Sequence, residues 1–124
     1  MSAIKAGKSI KVCHITSAHP RYDSRILEKE CKSLANNGYD VTLIVNDKYE
    51  NEIVDNVKIV STKYEYKNRY DRIIRSMKRI YMKAIEVDAD IYHFHDPELL
   101  PIGNKLKRLD KKVIFDSHEN YVLQ

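Results

Sequence analysis

Along this chain the apolar positions switch between two periods. In "SIKVCHIT" (9–16) and "DVTLIVN" (40–46) β-branched and apolar residues crowd into short runs bounded by turn residues, the pattern of strands. The second run is apolar almost without a break, as in a strand covered on both faces. "NVKIVS" (56–61), "DIYHFH" (90–95) and "KKVIFDSHE" (111–119) read as three further strands. Between them the spacing lengthens to that of a helix. "DSRILEKECKSLANNG" sets Leu27, Cys31, Leu34 and Ala35 on one face, with Asp23 or Ser24 as the cap and Gly38 as a left-handed exit. From about Lys67 to Val87, Tyr70, Ile73, Ile74, Met77, Ile80, Tyr81, Ala84 and Ile85 recur at helical spacing. "PELLPIGNKLKRLD" reads as a helix interrupted by Pro101 and loosened by Gly103.

This alternation predicts an α/β fold: a Rossmann-like, doubly wound parallel sheet of about five strands with helices on both faces. Right-handed crossovers give the strand order 3-2-1-4-5. In that order the chain reverses direction between strands 1 and 4, and ligands of such folds bind at the carboxyl ends of the strands around the reversal. Residues 1–8 are expected to be a flexible N-terminal segment and residues 9–124 a single domain.

Composition narrows the class. The 124 residues, 43% of them hydrophobic with only three Gly and three Pro, suit one ordered domain. No apolar run approaches the ~18 residues of a membrane-spanning helix, and the start lacks a secretion signal, so the expected location is the cytoplasm. Cys13 and Cys31 share no CxxC spacing and read as small buried hydrophobes.

A net charge of +4 is too small to indicate nucleic acid, and no nucleic-acid motif accompanies it. The positive charge is, however, concentrated. "KNRYDRIIRSMKRIYMK" holds Arg69, Arg72, Arg75, Lys78, Arg79 and Lys83 against one acid, Asp71. These form either a solvated face or a surface for anionic lipid at the inner face of the cell membrane, with Tyr64, Tyr66 and Tyr70 near the headgroups.

All five histidines fall at or near predicted strand ends: His14, His19, His93, His95 and His118. His93 and His95 are two apart and face one side, opposite Tyr92 and Phe94. His14 and His93, deeper in their strands, read as core histidines. His95 and His118, each followed by an acid (Asp96, Glu119), read as a functional rim. His19, His95 and His118 are expected to line one concavity. An HxH pair with a distant His and an Asp is also the ligand set of several metal-dependent hydrolases. No tight spacing such as HExxH accompanies it, so neither metal nor cofactor is expected.

Taken together, "KVCHITSAHPRYDSRILEKECKSLANNGYDVTLIV", "ADIYHFHDPELLPIG" and "KKVIFDSHENY" resemble successive parts of the amino-terminal domain of a family 4, GT-B-type glycosyltransferase of bacterial surface polysaccharide synthesis. The resemblance runs from about Ile10 to Tyr121. It implies the acceptor-side domain of a retaining, metal-independent enzyme that moves a sugar from a nucleotide-sugar donor to a glycan or lipid-linked acceptor. His118 would lie near the donor sugar as the catalytic contact, and Glu119 would bind substrate beside it. His95 and Asp96 would hydrogen-bond sugar hydroxyls. His19, Arg21 and Arg25 would lie under the donor phosphates, with the exposed N–H groups at the start of the first helix.

Two departures stand out. The loop after strand 1 has no glycine, and the donor-binding second domain is not in this sequence. The chain is therefore expected to be truncated at its C-terminal end and inactive without a donor-domain chain. The alternatives are a stand-alone binding module of this fold, or an HxH metal-dependent hydrolase.

Overall fold

A computed structural model describes residues 4–5 and 8–116. Two short strands, β1 (Ile4–Lys5) and β2 (Lys8–Ser9), pair antiparallel within the segment expected to be flexible. The main sheet is built from β3 (Lys11–Ile15), β4 (Asp40–Val45), β5 (Glu52–Val54), β6 (Val57–Ser61), β7 (Ile91–Phe94) and β8 (Lys112–Phe115), in the order β5-β6-β4-β3-β7-β8. The five parallel strands β6, β4, β3, β7 and β8 are the predicted third, second, first, fourth and fifth, and they stand in the predicted order.

The sixth strand, β5, is antiparallel and lies at the edge; the hydrophobic pattern does not predict it. It turns into β6 through Asp55 and Asn56, whose φ values of 48° and 68° make the mirror-image turn that matches strand twist. Asp and Asn tolerate this region better than other non-glycine residues, so the turn forms without the usual Asn-Gly signal.

Helix α1 covers residues 24–36. Its first part, Ser24–Cys31, is wound in wide turns, and the Lys32 N–H reaches back five residues to the Leu27 carbonyl. Asp23 caps it by accepting from the Arg25 and Ile26 N–H groups, both at 2.9 Å. Gly38 supplies the predicted left-handed exit at φ 92°. Helix α2 covers 69–87; Asn68 accepts from the Asp71 N–H at its start, and Asp88 takes a left-handed conformation at its end. Helix α3 covers 97–107. No helix among the described residues is long and apolar enough to cross a membrane.

The helices cover the two faces unequally. Ile80, Ala84, Leu99, Ile102 and Leu106 of α2 and α3 pack on Cys13, Ile15, Ile44, Tyr92 and Phe94. Buried Tyr92 donates its hydroxyl to the Ala84 carbonyl at 2.6 Å and accepts from the Ala89 N–H at 2.9 Å, so its one polar atom is satisfied. On the other face, Ile26, Leu27 and Cys31 of α1 pack on Val41, Leu43, Val45, Val57 and Ile59. Over β7 and β8 that second face is not sealed by α1: Ile91 and His93 are half-buried and Ile114 is exposed.

Two expectations change here. Pro101 does not interrupt α3, because after the tight turn Pro97–Leu99 the regular helix begins at Leu100, and Pro101 lies in the first turn of that part, where a missing N–H costs no hydrogen bond. Gly103 does not loosen the helix; it lets it approach the sheet. A Cβ there would lie 2.6 Å from Phe115 Cζ and 3.3 Å from Phe94 Cε2. The Phe94 and Phe115 rings stack at 5.1 Å.

Gly103→Ala should therefore destabilise the domain by about 1 kcal/mol, since overpacking outweighs the helix-propensity gain. In a Phe115→Ala background the same change should stabilise. Urea denaturation of the four variants measures the sign reversal; additive effects would show that the ring contact is not limiting.

Candidate functional site

The connections from neighbouring strands β3 and β7 leave toward opposite faces, so a crevice opens at their carboxyl ends. Asp96 spans it. One of its oxygens accepts from the Thr16 hydroxyl at 2.6 Å and the Ser17 N–H at 2.9 Å; the other lies 3.0 Å from His19 Nδ1. The Ser17 hydroxyl donates to Glu98, which also takes a two-point contact from Arg72 at 2.7 and 2.9 Å. Asp96, expected to meet sugar hydroxyls, is thus buried and occupied with fastening the strand ends.

Beside this crevice lies an open cavity of about 670 Å³. Arg21 forms its back wall. Its guanidinium bonds Asp47 at 2.9 and 2.8 Å, Glu52 at 2.9 Å and the Glu50 carbonyl at 2.8 Å. The Asp47 contact above all raises the guanidinium pKa further, so the charge is permanent, and it is already neutralised. Burial would raise the Asp47 carboxyl, but bonds from Arg21, Ser61 and the Tyr49 N–H hold it below its ordinary value. Tyr22 and Tyr49, 59% and 58% exposed, flank the mouth, and the Tyr22 hydroxyl donates to Glu52.

Two expectations about donor phosphates are affected. Arg21 is held by carboxylates rather than left for an anion. The start of α1 is filled by the Asp23 carboxylate, while Arg25 remains exposed on its first turn.

The remaining histidines gather on the partly covered face. In the β3–β7 register His14 stands opposite His93, and His95 follows two residues on. The three rings stack: His14 to His93 at 4.5 Å, His14 to His95 at 5.0 Å and His93 to His95 at 4.7 Å. His14 Nδ1 lies 2.7 Å from His95 Nε2. Glu30, from α1, closes the group from above. Asp116 stands 3.4 Å from His93 Nε2. His95, expected at an open rim, is buried in this stack, while His19 stands apart beside Asp96. His118 and Glu119 lie outside the described residues.

Burial, with the nearby charge of His93, pulls the His14 pKa down to about 3. Burial, then the Asp116 charge, raises the Glu30 pKa. His14, Glu30, His93 and His95 each offer one ligand atom to a metal ion, and these four atoms lie within 4.8 Å of one another.

The chain matches no protein-family model, no curated protein and no solved structure to which it was compared.

The basic helix is more occupied than its sequence predicts. Arg72 turns inward to Glu98, Arg75 pairs with Asp71 at 3.0 Å, and Lys83 lies 3.7 Å from Glu86. Arg79 rests 4.1 Å over the Tyr64 ring. Arg69 and Lys78 are exposed. Tyr70, Ile74 and Ile85, expected in the buried stripe, point outward with Met82.

The sequence reading misses Glu30, Tyr22, Tyr49, Asp47 and Glu52. Tyr22 sits next to Arg21 but carries no charge or ligand chemistry that singles it out, and the other four come from segments with no distinctive spacing to the histidines or to Arg21.

The His14 shift makes stability pH-dependent. Between the ordinary value of 6.5 and about 3, the unfolded chain holds a proton here that the folded chain does not. This contribution is complete above pH ~6.5 and declines as pH falls, by up to about 1.4 kcal/mol per unit. Urea melts of metal-free protein at pH 7, 6 and 5 should show the decline, and His14→Gln should flatten it. The same slope in both proteins would rule out His14 as its source.

Proposed function

We propose that this chain is the acceptor-side domain of a retaining glycosyltransferase that moves a sugar from a nucleotide-sugar donor to a glycan or lipid-linked acceptor. The observation that carries this reading is the cavity at the strand ends. Two exposed tyrosine rings offer flat apolar faces of the kind on which a sugar ring packs. Asp47, Glu50, Asn51 and Glu52 supply acceptors and an amide for hydroxyl groups. A wall this rich in carboxylates opposes a nucleotide diphosphate and accommodates an uncharged, hydroxyl-rich acceptor. In this reading the donor phosphates are gripped by a second domain, on another chain or another part of a longer one. Arg25 and the His118–Glu119 segment are the contacts contributed from this side.

A second feature supports a site at the membrane surface. Tyr70, Ile74, Met82 and Ile85 form an exposed apolar set along α2, flanked by Arg69, Arg75, Lys78 and Arg79. Apolar side chains amid cations suit the headgroup region of an anionic bilayer, where a lipid-linked acceptor would be met.

Titration of isotopically labelled chain with neutral oligosaccharides should shift the amide signals of residues 20–22 and 47–52. Tyr49→Ala should weaken that binding about tenfold, the loss of one stacking contact. Nucleotide sugars should bind weakly at most, and the chain alone should transfer no sugar until a donor domain is added. Selective nucleotide binding in the tyrosine cavity, with no response to any glycan, would refute the acceptor assignment.

Sedimentation with vesicles tests the membrane contact separately. Binding should need anionic lipid, weaken with salt and fall when Ile74 and Met82 are both changed to Ser. Equal binding to neutral vesicles, or none at low salt, would leave α2 an ordinary solvated helix.

A further inference from the structure

We infer that His14, His95 and Glu30 form a binding site for a divalent transition-metal ion, with His93 as the neighbouring fourth donor. This inference does not depend on the glycosyltransferase reading.

The distances carry it. His14 Nδ1 and His95 Nε2 are joined by a hydrogen bond of 2.7 Å, which a metal ion would replace by displacing its proton, and each nitrogen lies 3.9 Å from the same Glu30 oxygen, Oε1. A separation of 3.9 Å is too long for a hydrogen bond. It suits two atoms placed around one cation. The point equidistant from the corners of this triangle lies about 2.1 Å from each atom, within the ~2.0–2.2 Å range of zinc to imidazole nitrogen and carboxylate oxygen.

The unsatisfied groups point the same way. Glu30 Oε1 is buried and has no hydrogen-bond partner. Leaving a carboxylate oxygen in that state is costly, and a cation at the triangle's centre would remove the cost. Among the described ion pairs no lysine or arginine lies within 4.0 Å of Glu30 or Asp116; the positive charge acting on Glu30 is that of exposed Arg25, one helical turn earlier on α1. Asp116, 3.4 Å from His93 Nε2, stands behind that ring, the place carboxylates take behind ligating histidines.

The donor set selects the class of ion. Two or three imidazoles with one carboxylate suit zinc, cobalt, iron or nickel, and lack the all-oxygen shell that calcium and magnesium take. Neither cysteine is among the grouped donors: Cys13 belongs to the opposite core, and Cys31, next to Glu30, packs into the apolar core under α1. The site also has an entrance. His14, Glu30, His93 and Asp116 line a groove of about 500 Å³ that opens to solvent between α1 and the uncovered half of the sheet. An ion held from the sheet side and by Glu30 would keep a coordination position toward that groove for water or a small anionic or neutral ligand.

The test uses the whole chain, stripped with chelator and dialysed, then titrated with Zn²⁺ by calorimetry and with Co²⁺ by visible absorption. One equivalent should bind more tightly than about 1 µM. The Co²⁺ complex should show the intense visible bands of a four- or five-coordinate site. Long-range nitrogen–proton NMR of the imidazoles should show the signals of His14 and His95 moving with metal. Glu30→Gln keeps the shape of a half-buried side chain and should fold normally. It should weaken binding at least tenfold, since it replaces a charged ligand with a poor neutral one. His14→Gln should do the same.

Binding that is weaker, substoichiometric, or unchanged in a folded Glu30→Gln protein would overturn the assignment. So would metal-dependent shifts that spare His14 and His95.

Discussion

The domain turns on one buried carboxylate. Asp96 stands where β3 and β7 stop running side by side and send their chains to opposite faces. Two backbones diverging at such a point leave polar groups that neither can satisfy for the other. Asp96 meets the Thr16 hydroxyl and the Ser17 N–H with one oxygen and His19 with the other. Its neighbour Glu98 then ties Ser17 to Arg72, which joins the β3 loop, α3 and the start of α2. Hydrogen bonds to a charged acceptor are stronger and more directional than neutral ones. The crevice is thereby prevented from opening along the sheet itself.

The same charges sort what can approach each side. Around Arg21 the positive charge is spent on Asp47 and Glu52, and the cavity that remains presents tyrosine rings and acceptors. On the opposite side of the strand ends, three stacked imidazoles and two carboxylates leave a surplus of lone pairs. One hollow is therefore suited to hydroxyl donors and the other to a cation. The two hollows are kept apart by the segments that build them: residues 20–22 and 47–52 line one, and β3, β7, α1 and the end of β8 line the other.

Much of this layout could be read from the chain, and the failures have identifiable causes. The apolar runs of β3, β4, β6, β7 and β8 are short and continuous, and alternation with helices leaves few topologies. β5 escapes because its turn uses Asp55-Asn56, and because Ile53 is its only strongly apolar outward residue. The stripe on α2 is drawn too wide, since periodicity alone gives no width; Tyr70 and Ile74 have helical spacing yet face outward.

At the site, period-two alternation puts His93 and His95 together, and strand order adds His14. Glu30 comes from the rotation of α1 about its axis, which its wide first turns alter and no residue spacing reports. Arg21 is misjudged for a similar reason. Its partners lie 26 and 31 residues further along the chain, in segments whose proximity only the folded sheet creates.

The two cysteines acquire a use from the unequal layers. Cys13 lies wholly buried on the side covered by α2 and α3, and Cys31 wholly buried on the inner face of α1 against the other side of the sheet, so the two belong to different cores. Burial is the main cause that raises both thiols above their ordinary pKa, and neither presents a thiolate while its helix is in place. A thiol reagent can then reach each sulfur only when the layer above it lifts. The labelling rates of the two residues become separate clocks, one for the opening of each side of the molecule. If α1 lifts alone, Cys31 reacts first; if the domain opens as a unit, the two sulfurs react in step.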